Sequence, residues 1–132
     1  MAGRDPIGAF LDCESFAVVG ASNRMDKFGA QVFAAYVAHG RRVFPVNPRD
    51  ARVQGHVSYP TLRDLPERVE AVSVITPPEV TERIVEDAAA AGVKRIWMQP
   101  GAESGRAIAR ARELGLDVIA GGPCLLVEID RR

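Results

Sequence analysis

Residues 17–33, AVVGASNRMDKFGAQVF, run as an apolar segment into a Gly-Ala-Ser turn and resume past Gly29 as a helical pattern. The expectation is a buried strand, a loop and a helix, with loop N–H groups able to face an anion at the helix start. Gly20 allows the tight turn, Ser22 offers a hydroxyl, Gly29 lets the helix approach the strand, and Lys27 adds a charge. Eight residues separate Gly20 from Gly29, more than in the dinucleotide G-x-G-x-x-G turn. The Gly-Lys-Ser/Thr ending of a nucleoside triphosphate loop is also missing. What this loop holds has to be read from the rest of the chain.

Outward from it, four more segments rich in Val, Ile and Ala follow: RVFPVN, AVSVIT, RIWMQ and LDVIA. With SFAVVG, their centres fall near Val18, Val43, Val72, Ile96 and Val118, 22 to 29 residues apart. That spacing is too long for hairpins and suits strand-helix units, so a parallel sheet buried on both faces is expected. Helical stripes lie between the strands: Val32, Phe33, Tyr36 and Val37; Val80, Ile84, Val85, Ala88 and Ala89; Ala107, Ile108, Ala111 and Leu114. Gly40, Gly92 and Gly115 follow the stripes where left-handed C-caps belong. TPPE offers Thr76 as N-cap, Pro77 at the first helical position and Glu79 for a capping box. TLRDLP provides a short helix in the second crossover, and a first helix is expected over Pro6 to Asp12, capped by Asp5.

The 132 residues suit a single domain, 1–132, that buries roughly two thirds of its unfolded surface. Seventeen basic and seventeen acidic residues cancel without runs of like charge, which argues against nucleic acid or an anionic membrane and for a small-molecule partner. No window approaches the roughly 20 apolar residues of a membrane span, and MAGRDPIGAFLD does not read as a leader. A cytoplasmic location is expected. Cys13 and Cys124 are too few and too far apart for a disulfide framework or a zinc site, so reduced thiols and no metal are expected.

In an open parallel sheet, ligands collect beyond the carboxyl ends of the strands, here at GASNRMDKFG, NPRD, TPPE, QPGAES and GGPC. A fold selecting NAD usually places Asp or Glu after the second strand, whereas this chain has Val46-Asn47-Pro48-Arg49. Arg49 favours a phosphorylated ribose, either the 2′-phosphate of NADP or the 3′-phosphate of coenzyme A, unless it is a solvated charge paired with Asp50. Gln99 is open to two roles, a ligand contact or an end-of-strand amide bonding backbone.

VVGAS, FPVNP, VITPP, WMQPGA and GGPC, in order at five strand ends, resemble the stand-alone coenzyme A-binding protein family. The resemblance spans Ser15 to Glu128 and extends to the first domain of ADP-forming acyl-CoA synthetases and of the succinyl-CoA synthetase alpha subunit. It implies a Rossmann-like three-layer α/β/α domain with a five-stranded parallel sheet of order 3-2-1-4-5. By the same resemblance, Gly20, Ala21 and Ser22 line a pyrophosphate site with Lys27 nearby. Val46, Asn47, Pro48 and Arg49 border the adenosine and its 3′-phosphate, and Thr76, Pro77 and Pro78 flank the adenine or pantetheine path. Met98, Gln99 and Gly101 lie toward the thiol end. Gly20→Val is then expected to block the pyrophosphate without preventing folding.

Catalytic equipment is sparse. His39, at a helix end, and His56, in the irregular crossover, read as surface residues, and no Ser-His-acid arrangement, metal-spaced cluster or carboxylate pair falls on the strand ends. The phosphohistidine and nucleotide-grasp domains of the synthetases lie outside this chain, so binding of coenzyme A or an acyl-CoA without catalysis is the expectation. An NADP-dependent oxidoreductase and the detached subunit of a two-chain synthetase are the alternatives. Cys124 is either a buried small hydrophobe or a thiol placed to form a mixed disulfide with coenzyme A.

Overall fold

The structure, a computed structural model, describes residues 5–131. The expectation that the chain has no leader rests partly on residues 1–4, outside that range. Five parallel strands form the main sheet: β1 (Phe16–Val19), β2 (Val43–Val46), β5 (Ala71–Val74), β6 (Arg95–Met98) and β7 (Asp117–Ile119), in spatial order β2-β1-β5-β6-β7. A two-stranded antiparallel hairpin, β3 (Arg52–Val53) and β4 (His56–Val57), lies between β2 and β5 in sequence. The helices are α1 (Pro6–Leu11), α2 (Phe28–Ala38), α3 (Pro78–Ala90), α4 (Gly105–Glu113) and α5 (Leu125–Asp130), with a 3₁₀ turn at Leu62–Asp64.

The expected order 3-2-1-4-5 is present once a single bridge is counted. Tyr59 lies parallel to Val46 outside β2, donating to Pro45 O and accepting from Asn47 N. It holds the third place, so AVSVIT, third among the apolar segments, pairs directly with β1 and takes the fourth. Pro45 explains why the outer member stays this short: its face toward Tyr59 lacks an N–H, so the ladder cannot extend backward along the chain.

Two apolar layers flank the sheet. Phe10, Phe33, Tyr36, Trp97, Leu125 and Ile129 pack on one face with α1, α2 and α5, all of them fully buried. Val72, Val74, Val85, Ala88, Ile96 and Met98 fill the other with α3 and α4. Val37 departs from its expected stripe and is 39% exposed. Asp5 caps α1 by accepting from Gly8 N, and Thr61 and Asp64 form a capping box on the 3₁₀ turn. Gly40, Gly92 and Gly115 adopt φ of 70°, 81° and 84°, as C-cap glycines should. The start of α3 is shifted by one residue from expectation: Pro77 is the N-cap and Pro78 the first helical residue. Thr76 turns its hydroxyl to Thr81 Oγ1 at 2.7 Å instead of capping.

Candidate functional site

β1 sits between β2 and β5, so the chain leaves β1 toward one side of the sheet and β5 toward the other. The crevice between their loops is the ligand position of this architecture. Gly20 stands at that point with φ +95°, its N–H bonded to Val46 O at 3.2 Å. A Cβ there would lie 2.2 Å from Ile75 O. Position 20 is thus closed by the neighbouring backbone as well as facing the crevice, which corrects the expectation for Gly20→Val: the substitution strikes the fold before it strikes a ligand. A Cβ at Gly29 would lie 1.8 Å from Gly20 O, so the first turn of α2 presses directly on the end of β1.

The loop between these glycines presents donors. The N–H groups of Ser22, Asn23, Phe28, Gly29 and Ala30 find no acceptor among the described residues, and the N-cap Lys27 makes no side-chain cap bond. By contrast, α1 and α4 are capped by Asp5 and Ser104, and the first N–H of α5 bonds Gln99. Unpaired N–H groups at a helix start attract an anion through both hydrogen bonding and the helix dipole. Lys27 and Arg49 are exposed and free of ion pairs with described residues, while Arg24 pairs with Asp26 at 3.3 Å.

Beside this loop an apolar slot of about 160 Å³ opens between the ends of β1 and β2, the Pro60–Leu62 segment and α3. Gly20, Pro48, Thr76, Val80 and Ile84 line it together with Val46 and Leu62. Val80, Ile84 and Asp87 lie on one face of α3 at helical spacing, and the first two belong to the stripe that the sequence assigns to the core. Four expected site residues, Gly20, Val46, Pro48 and Thr76, therefore meet at one cavity. Pro77 and Pro78, at the start of α3, are not among the residues that line it.

Other expected residues support the site without facing it. Ala21 is buried, and its carbonyl accepts from Asn47 Nδ2 at 2.9 Å. Asn47 Oδ1 accepts from the N–H groups of Arg49 and Asp50 at 2.7 and 3.0 Å, so its whole carboxamide holds two loops together. Ser22 Oγ accepts from Arg24 N at 3.0 Å.

At the opposite end the expectations change. Met98 is fully buried in the α3–α4 core, and Gln99 is 3% exposed, with Oε1 accepting from Leu125 N at 2.7 Å and Nε2 lying 3.4 Å from Cys124 Sγ. Gln99 takes the backbone role, fastening α5 to the sheet. Gly101 is exposed at φ +97° and donates to Glu103 Oε1 at 2.7 Å. Cys124 is half-buried as the N-cap of α5.

Sequence reading missed the hairpin and the two carboxamides, Asn23 of the loop and Gln54 of the hairpin, that join them. Asn23 Nδ2 donates to Arg52 O at 2.9 Å and to Asp50 Oδ2 at 3.3 Å, and Asn23 Oδ1 accepts from Gln54 N at 2.6 Å. Gln54 Nε2 donates to Ser22 O at 3.1 Å and to Ala30 O at 2.9 Å. The available signal was RVQGHV, where Gln-Gly between valines marks a two-residue hairpin turn. In the structure Gln54 and Gly55 both have positive φ, 50° and 84°.

Neither histidine lines the slot. His39 Nε2 is 3.0 Å from Asp130 Oδ1, and His56 sits edge-on to Phe33 with ring centroids 5.2 Å apart. What the loops offer together is a set of unpaired backbone amides, two exposed cations and an adjoining apolar slot, an arrangement suited to a nucleotide diphosphate.

Known proteins share this arrangement of strands and loops. The alpha subunit of the ADP-forming acetate-CoA ligase II of Pyrococcus furiosus is 31% identical over 88 residues, which make up 66% of this chain and 19% of that subunit. The ADP-forming acetate-CoA ligase II of Archaeoglobus fulgidus is 26% identical over 83 residues, 61% of this chain and 12% of the ligase. The chain thus spans a fifth or less of the curated relatives it matches. A hypothetical protein from Pyrococcus horikoshii OT3 superposes with a TM-score of 0.90 at 31% identity, over 98% of this chain and 92% of that one. The dinucleotide-forming acetyl-coenzyme A synthetase 1 of Ca. Korarchaeum cryptofilum aligns at 0.72 and 27% identity, over 80% of this chain and 25% of the synthetase. None of these relatives favours the NADP-dependent oxidoreductase. A profile of the CoA binding domain matches residues 14–130, a stretch that takes in all five parallel strands and each of their C-terminal loops, and the chain therefore belongs to the CoA binding domain family.

Proposed function

We propose that this domain binds coenzyme A or an acyl-CoA in the crevice beyond β1 and β2, and that it performs no catalysis of its own. The pyrophosphate lies against the N–H groups of Ser22, Asn23 and the first turn of α2. Lys27, the N-cap of α2, stands beside the pyrophosphate, the adenine enters the slot lined by Pro48, Thr76 and Val80, and Arg49 meets the 3′-phosphate. The observation that carries the reading is the juxtaposition of uncapped loop and helix amides with an apolar slot at the point where the chain reverses across the sheet. Absence of catalysis is inferred from the crevice: Ser22 Oγ accepts from its own loop, and both histidines are engaged elsewhere. Kinship with large ligases supports a second reading, in which the chain serves as the coenzyme A-holding part of a multi-chain ligase.

Thermal unfolding with coenzyme A, acetyl-CoA, NADP, NAD and ATP tests the assignment. A ligand that binds only the folded state adds about 2.7 kcal/mol at 100 times its Kd. Coenzyme A and acetyl-CoA should stabilise the protein far more than NAD, and stabilisation by NAD or NADP alone overturns the assignment.

A further inference from the structure

The hairpin β3–β4 packs its turn onto the phosphate loop through a reciprocal pair of carboxamides. Asn23 binds the hairpin backbone on both sides of Val53, taking Arg52 O and Gln54 N as an adjacent strand would. Gln54 answers from the turn, giving one N–H to Ser22 O and the other to Ala30 O in the first turn of α2. Asn47 Nδ2 already takes Ala21 O. In a trans peptide the N–H points opposite its C=O, so holding the carbonyls of Ala21 and Ser22 fixes the directions of the Ser22 and Asn23 N–H groups, each away from the carboxamide that binds its peptide. Those two N–H groups are among the unpaired donors of the loop.

We infer that Gln54 is a positioning residue for the phosphate site: its carboxamide fixes the loop peptides so that Ser22 and Asn23 present consecutive N–H groups to the pyrophosphate. This rests on the coenzyme A reading for the identity of the ligand. The Gln54 backbone is held at φ +50°, a left-handed conformation in which glycine, asparagine and aspartate are more comfortable than glutamine. Its side chain, one methylene longer than that of asparagine, reaches both Ser22 O and Ala30 O. A glutamine in this position sacrifices turn preference for reach.

That conflict supplies the experiment. Gln54→Gly and Gln54→Asn both suit the turn backbone, so the hairpin survives while the clasp is lost. Titration calorimetry with coenzyme A and with adenosine 3′-phosphate, which lacks the pyrophosphate, is expected to show at least tenfold weaker coenzyme A binding in both variants and unchanged binding of the fragment. Backbone ¹⁵N order parameters of the ligand-free protein should fall at Ser22 and Asn23 while remaining at wild-type values in β1 and β5. Unchanged coenzyme A affinity, or equal losses for the two ligands, overturns the inference. Should the wild-type protein not bind coenzyme A, the ligand assignment falls and the order parameters alone decide the clasp: unaltered values at Ser22 and Asn23 in both variants overturn it.

Discussion

Arg49 stands in solvent at the end of the loop after β2, with its backbone N–H tied to Asn47 and its guanidinium free of partners among the described residues. A side chain so anchored at its base and free at its tip can close on a phosphate with little loop rearrangement. Arg49→Ala should weaken coenzyme A binding about tenfold, or about 1.4 kcal/mol, and leave 3′-dephospho-coenzyme A nearly unchanged, with the difference shrinking as salt rises. Calorimetry of both ligands at low and high salt checks this, and equal losses would move Arg49 to the pyrophosphate. Its position was legible because an arginine where ribose recognition belongs needs only the strand order to be interpreted. Gln99 was legible only as a choice of two roles, since its partner Leu125 N lies on a helix that the sequence reading did not foresee. Met98 alternates with Trp97 along β6, and on a sheet buried on both faces neither direction leads to solvent.

The joint between α2 and β5 turns on one buried polar contact. Tyr36 Oη and Ser73 Oγ are 2.7 Å apart with both residues fully buried, and burial pushes the phenol pKa well above its usual value, so the ring remains a neutral hydrogen-bonding partner. Tyr36→Phe or Ser73→Ala alone strands the other hydroxyl and should cost about 1–3 kcal/mol. The double variant should cost less than the sum of the two, because no hydroxyl then remains unpaired. Chemical denaturation of the four proteins measures this coupling, and strict additivity would mean that the contact holds nothing. The elements around this joint were readable from period and caps, because α2 and α4 carry apolar stripes and their C-cap glycines. The hairpin was not, because Arg52–Val53 and His56–Val57 are two residues each, too short for alternation to register. The six residues of α5 are likewise too few for a helical period to register.

At the scale of the whole molecule, the sequence made the parallel sheet and its ligand edge plain, while the missing third strand needed the structure: a proline in β2 reduces the outer ladder to Tyr59, and the chain between turns back as a hairpin. That hairpin, not the sheet, is the outer wall of the phosphate loop. The loop itself leaves and rejoins the fold at one place, where Gly29 abuts Gly20 backbone to backbone. A segment whose two ends touch has no lever arm on what lies behind it, so its contents can change while the frame stays still. Replacing residues 24–27 by a Gly/Ser segment of equal length should therefore lower stability by less than about 2 kcal/mol, as read by denaturation, while coenzyme A affinity falls with the loss of Lys27 and of loop order. A larger loss of stability would show that the loop braces the frame. If it does not, selectivity and folding are separately inheritable here: the molecule carries an exchangeable cassette, and drift within it alters what is bound without endangering the architecture that presents it.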